Sequence, residues 1–175
     1  MSLEKAKKLE DLKEEVNSIF SARNKLIESQ RPKAIVSALK EMTDYLSSQE
    51  FNVTINNGLQ RGFIATYKDI KITASASKDE ETFFGADYVI DIVSGLKKRQ
   101  VLLNVKRGAR VNPPLGGNID QQIADYQNRY IPAVKELDVE ELNGSYILSM
   151  VEEGRGTKKE ITVANGQAVI EKIFE

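Results

Sequence analysis

The chain has 175 residues, 41% of them hydrophobic and 29% charged, which suits one folded domain with a real core. It contains neither cysteine nor histidine, so disulfides, thiolate nucleophiles, Ser-His-Asp catalysis and His- or Cys-held metals are excluded. The formal net charge of -1 hides a segregation: six bases and no acid lie between Lys97 and Arg110, and seven acids against three bases between Glu136 and Glu160.

Residues 3 to 28 place Leu3, Ala6, Leu9, Leu12, Val16, Ile19, Phe20 and Leu26 at spacings of three and four with charges between, the pattern of a long amphipathic helix. Its leucines form no clean heptad, so residues 1–30 are read as a helical arm that packs on its own sheet or pairs with a second subunit. The charged start, MSLEKAKKLE, lacks the apolar middle of a signal peptide, and no apolar run is long enough to cross a bilayer. A cytoplasmic protein without a membrane partner is expected. Ser29 to Pro32 interrupts the helical pattern. Pro32 then suits the first turn of a second helix reaching about Ser48, striped by Ile35, Leu39, Met42 and Leu46.

From Phe51 the period changes. The runs FNVTIN, GFIATY, IKITASA, ADYVIDIVS and VLLNVK are short and β-branched or aromatic, and short turns separate them. They predict four or five strands, largely antiparallel, with Gly95 to Gln100 as a turn. Gly108 to Asn118 is a loop rich in proline and glycine, and Asn118 is placed to cap a helix from Ile119 that Pro132 bends or restarts. Ser145 to Val151 reads as a buried strand, and Ile161 to Ile173 as a further strand or hairpin around Asn165-Gly166. The expected fold is mixed α/β (α+β): a central, mostly antiparallel or mixed sheet flanked by helices in one domain, residues 31–175, after the helical arm.

The chemistry concentrates between Phe83 and Gly108. Asp87 and Asp91 lie four apart, so strict alternation puts them on one face of a strand, and Asn104 and Lys106 share a face of the next. A hairpin of these two strands gathers Asp87, Asn104 and Lys106 at one end of the sheet. Oxygen donors there suit Mg²⁺ (or Mn²⁺), which polarises a phosphoryl oxygen, while a lysine orients or deprotonates a water. The bases Lys97, Lys98, Arg99, Arg107 and Arg110 suit backbone phosphates of DNA. Ordinary structural roles compete with each reading, since charges are expected in hairpin turns and glutamines on helix surfaces.

The Gly-Ala-Asp turn at 85–87, the strand ending Asn104-Val105-Lys106 and the following helix with Gln121, Gln122 and Gln127 resemble the PD-(D/E)XK nuclease superfamily over roughly residues 33 to 151. The order of elements around them is similar to that family's restriction-endonuclease-like core. The resemblance implies a Mg²⁺-dependent deoxyribonuclease in which Asp87 is a metal ligand and Lys106 the catalytic lysine. It also brings Gln121 and Gln122 beside the site, within reach of a phosphate or a water. Asn104 departs from the family, where an acid is usual at that place, and Asp91 and Glu41 are the candidates for the missing carboxylate. Three functions follow as alternatives: a DNA-cleaving enzyme, a homodimer if it cuts both strands of a duplex; an inactive nuclease-fold module that binds nucleic acid; or a protein-assembly domain using the helical arm and the acidic last third.

Overall fold

A computed structural model describes all residues except 1, 82, 84, 138 and 154–157, and leaves aside the side chains of 153 and 158. It opens with one helix, α1 (Leu3–Ser48), that runs through Pro32 without a break. The two helices expected from the sequence are therefore one. Proline at this position removes a single hydrogen bond, to the Glu28 carbonyl, and costs about 3 kcal/mol in a helix interior. Burial of Ile27 before it and Ala34, Ile35 and Ala38 after it offsets that loss. The helix closes in a Schellman motif, with Phe51 N–H on the Leu46 carbonyl and Glu50 N–H on that of Ser47, and Glu50 takes the left-handed conformation.

Seven strands follow, β1 (Asn52–Asn56), β2 (Gly62–Tyr67), β3 (Ile70–Ala76), β4 (Tyr88–Ser94), β5 (Lys97–Val105), β6 (Tyr146–Glu153) and β7 (Lys158–Val163). They form one sheet in sequence order with every pairing antiparallel, so the mixed alternative is not realised. β5 starts earlier than the sequence suggested. The turn is only Gly95-Leu96, with Gly95 at positive φ, and Lys97 to Arg99 already pair with β4. Between β5 and β6 come α2 (Ile119–Asp125), a π-helical turn over Tyr126–Tyr130 and α3 (Ile131–Lys135). Asn118 caps α2 in a reciprocal box with Gln121, and Pro132 sits in the first turn of α3. Of the strand or hairpin expected within Ile161 to Ile173, β7 supplies a strand as far as Val163. The chain then ends in α4 (Gly166–Phe174), capped by Asn165, in place of a second hairpin strand. The capping asparagine and the buried spacing Val169, Ile170, Ile173 explain the helix.

By internal contacts the chain divides into two groups, residues 30–106 with 144–175, and residues 1–29 with 107–143. In the first, alternate strand residues face the helices: Phe63 and Ala65, Ile72 and Ala74, Tyr88, Ile90 and Ile92, Val101, Leu103 and Val105, Leu148 and Met150 are all buried. The other face carries the half-exposed or exposed Ile64, Thr73, Asp91, Val93, Gln100 and Ile147. The second group has its own small core of Val16, Tyr130, Ile131 and Val134, lined by Leu12, Ile19, Phe20 and Tyr126. Among the described residues no helix is long and apolar enough to cross a membrane.

Gly166 packs closely against α1. A Cβ there would lie 2.9 Å from the Met42 nitrogen and 3.0 Å from the Ala38 carbonyl oxygen, both backbone atoms of α1. Replacing it, Gly166→Val, is expected to lower stability by about 1–3 kcal/mol through overpacking, read as a shift in the urea midpoint at unchanged slope.

Candidate functional site

The end of the β4–β5 hairpin does bring Asp87 and Asn104 together. Asp87 N–H donates to Asn104 Oδ1 at 3.1 Å, and Asn104 Nδ2 donates to the Gly85 carbonyl at 3.0 Å. The same Asp87 N–H lies 2.9 Å from the carbonyl of Leu103, the residue that pairs with Tyr88. Two successive residues thus oppose one, the arrangement of a β-bulge, which turns side chains off strict alternation. Asp87 consequently does not share a face with Asp91. Its carboxylate is buried, accepts the Val105 N–H at 2.8 Å and lies 3.3 Å from Nε of Arg31 on α1, off the line of a hydrogen bond.

Arg31 extends this contact into a chain of groups. Its Nη2 donates to the Asp87 carbonyl at 3.1 Å, and its guanidinium sits 5.5 Å above the Tyr88 ring. The Tyr88 hydroxyl donates to Asp79 at 2.6 Å, and Asp79 takes a two-pronged ion pair from Arg61. Hydrogen bonding from Arg61 holds the Asp79 carboxyl below its ordinary value. Burial, then the bond to Asp79, pushes the Tyr88 phenol up to about 12.

Of the remaining expected residues, Lys106 shares a face with Asn104 as expected, and Asp91 and Glu41 fall on opposite sides of the sheet. Lys106 is exposed and continues the register of β5, its N–H donating to the Ser145 carbonyl at 2.8 Å, so alternation places it with Asn104 on the open face. Asp91 is on that face too, held by Lys98 at 3.1 Å and by Gln100 at 3.0 Å. Glu41 stands on the helix side, accepting the Tyr146 hydroxyl at 2.6 Å and the Gly166 N–H at 2.8 Å. Burial and that bond push the Tyr146 phenol up.

This donor set does not fit Mg²⁺, which takes carboxylate oxygens and keeps water. The Asp87 carboxylate faces a guanidinium, both ends of the Asn104 amide are hydrogen-bonded, and Asp91 and Glu41 lie on opposite sides of the sheet. Among the described residues no three acidic side chains are grouped to hold a metal ion.

The basic segment is divided as well. Lys97 Nζ reaches the Ile173 carbonyl at the end of α4, Lys98 pairs with Asp91, and Arg99 donates to the Lys98 carbonyl. Arg107 and Arg110 follow the far end of β5, about 27 Å along the strand. There, in the second group, Arg107, Ala109, Arg110 and Val111 face Phe20, Arg23, Asn24 and Ile27 of α1 across a cleft of about 240 Å³. Arg23 is buried and donates to the carbonyls of Leu137 and Arg107, and Ala109 N–H donates to Glu141 at 2.9 Å. These bonds fix the loop backbone. Gln121 and Gln122 are occupied in capping, Gln121 with Asn118 and Gln122 on the Gly117 carbonyl.

The chain matches no family model, no curated protein and no solved structure. Site chemistry therefore rests on geometry alone.

Sequence reasoning missed Arg23 and Arg31. Both continue the apolar stripe of α1, Val16, Phe20, Arg23, Ile27, Arg31 and Ile35, and a lone arginine on such a stripe signals a buried partner.

Two outcomes follow. Asp87→Ala strands the Arg31 guanidinium and is expected to cost about 3 kcal/mol, with the double variant Arg31→Met, Asp87→Leu recovering much of it in urea denaturation. The raised Tyr88 value means that the neutral phenol is favoured by folding. Its contribution is complete below pH 10 and lost as the pH rises towards 12. Tyr88→Phe should flatten the fall in stability across that interval, followed by denaturant midpoints.

Proposed function

We propose that the chain is a nucleic-acid-binding module without hydrolytic activity. The observation that carries this reading is the cleft beside α1, where Arg107 and Arg110 stand on a loop whose backbone is pinned by Arg23 and Glu141. A pinned loop presents its arginines with little ordering cost on binding, and arginine matches the two oxygens of a phosphate. Asn24 adds a neutral donor and acceptor at the same cleft. Phosphate contacts of this kind position a nucleic acid without reading its sequence.

The absence of bond cleavage from this reading follows from Asp87. In the nuclease-like arrangement that the sequence resembles, this carboxylate would hold a divalent ion, whereas here it meets Arg31 and the Val105 N–H.

Binding of labelled single- and double-stranded DNA and RNA, measured by fluorescence anisotropy across a salt series, tests the reading. Affinity is expected to fall linearly in log-log form with salt, and Arg107→Ala and Arg110→Ala each to reduce the slope by about one. No strand breaks should accumulate with Mg²⁺ or Mn²⁺. Salt-insensitive binding, or no binding at low salt, would overturn the nucleic-acid assignment. Cleavage that disappears in both Asp87→Asn and Lys106→Ala would restore the hydrolase.

A further inference from the structure

The sheet ends in two edge strands, β1 and β7. Exposed edges are ordinarily blunted with lysine, proline or a bulge, and β7 begins Lys158-Lys159-Glu160. β1, Asn52-Val53-Thr54-Ile55-Asn56, has no charge and no proline, and all of it except Val53 is exposed.

The direction of its backbone groups follows from the strands beside it. Ala76 N–H donates to the Arg61 carbonyl at 2.8 Å, so in β2 Phe63 and Ala65 bond towards β3, while Gly62, Ile64 and Thr66 bond towards β1. Their partners Asn56, Thr54 and Asn52 are therefore engaged. The N–H and C=O of Val53 and Ile55 point off the sheet.

Read in either direction from Thr54, this strand is nearly the same: a β-branched aliphatic residue, then asparagine. We propose that β1 pairs antiparallel with β1 of a second copy about a two-fold axis through Thr54, joining the two sheets. In that register Val53 stands opposite Ile55 of the second copy at hydrogen-bonded positions, and both free groups of each residue are satisfied. Thr54 meets Thr54 at the closer, non-hydrogen-bonded position, a favourable cross-strand pair. Asn52 meets Asn56.

The side chains agree with this occupant. Ile55 is 54% exposed and Val36 of α1 is 47% exposed, and both border a cleft of about 280 Å³ walled by Leu39 and Thr43. An added β1 brings the second copy's Val53 and Ile55 to this apolar opening on the helix side. Lys40 and Asp44 at the rim are paired with each other, so the symmetric contact opposes no like charges. A foreign extended peptide would use the same edge, but the palindrome of β1 has a use only when the strand meets itself.

Equilibrium sedimentation of the full chain at micromolar concentration is expected to give about 39 kDa, twice the 19.6 kDa of one chain. Because the chain has no cysteine, Thr54→Cys and Asn52→Cys each introduce a single thiol. Under mild oxidation Thr54→Cys should become a covalent dimer. Asn52→Cys should not, its counterpart lying roughly 13 Å away in this register. Ile55→Lys should give a monomer with unchanged circular dichroism. A monomeric parent across the concentration range, or equal cross-linking of the two cysteine variants, would overturn the proposal.

Discussion

An antiparallel sheet of seven strands has two faces and two edges, and among the described residues of its own contact group the second half of α1 and α4 are the helices available to cover them. They cover one face. The inward positions along the middle of the sheet are therefore apolar, and the principal ionisable groups there meet partners: Asp87 with Arg31, Glu41 with Tyr146 and Gly166, Tyr88 with Asp79. An unpartnered charge there would cost several kcal/mol, comparable with much of a domain's stability. Two of the carboxylates that looked like metal ligands in the sequence, Asp87 and Glu41, are thus ones the fold uses to join helix to sheet or helix to helix.

The same economy shapes the basic segment. A strand converts a run of nearby bases into two groups at opposite ends, because each residue advances the chain by more than 3 Å. Lys97 and Lys98 are used at the hairpin, one on the last turn of α4 and one on Asp91. Arg107 and Arg110 emerge where the backbone leaves the sheet and is pinned from α1. Charge density along the sequence and charge density on the surface are different quantities here, and a ligand meets only the second.

Most strands were legible because one-sided burial enforces alternation, clear in Ile70–Ala76 and Tyr88–Ser94. Asn118 was legible as a cap because its geometry is set by local hydrogen bonds. Other features depended on partners distant in sequence. Pro32 reads as a break by itself, and only burial of the residues around it keeps α1 whole. Asn165-Gly166 reads equally as a hairpin turn, until the close approach of Gly166 to Ala38 and Met42 is known. The facing of Asp87 was illegible because a bulge changes the alternation by one residue and leaves no mark in composition. The nearness of Asp87 to Asn104 was expected of the hairpin, yet a turn over Gly95 to Gln100 would have set a different register. It is the two-residue turn Gly95-Leu96 that brings them together.

Sequence order in the sheet also shapes how it forms. Five of the strand connections are short, so those neighbours can zip by local contacts, which favour rapid folding. The β5–β6 connection differs, carrying about 40 residues with their own small core, and closing a loop of that length costs roughly 2–3 kcal/mol more than a tight turn. Prior folding of α2 and α3 against the start of α1 would shorten the chain to be closed. The meander from β1 to β5 can assemble ahead of that event, and the arrival of β6 and β7 is the step that the inserted segment controls.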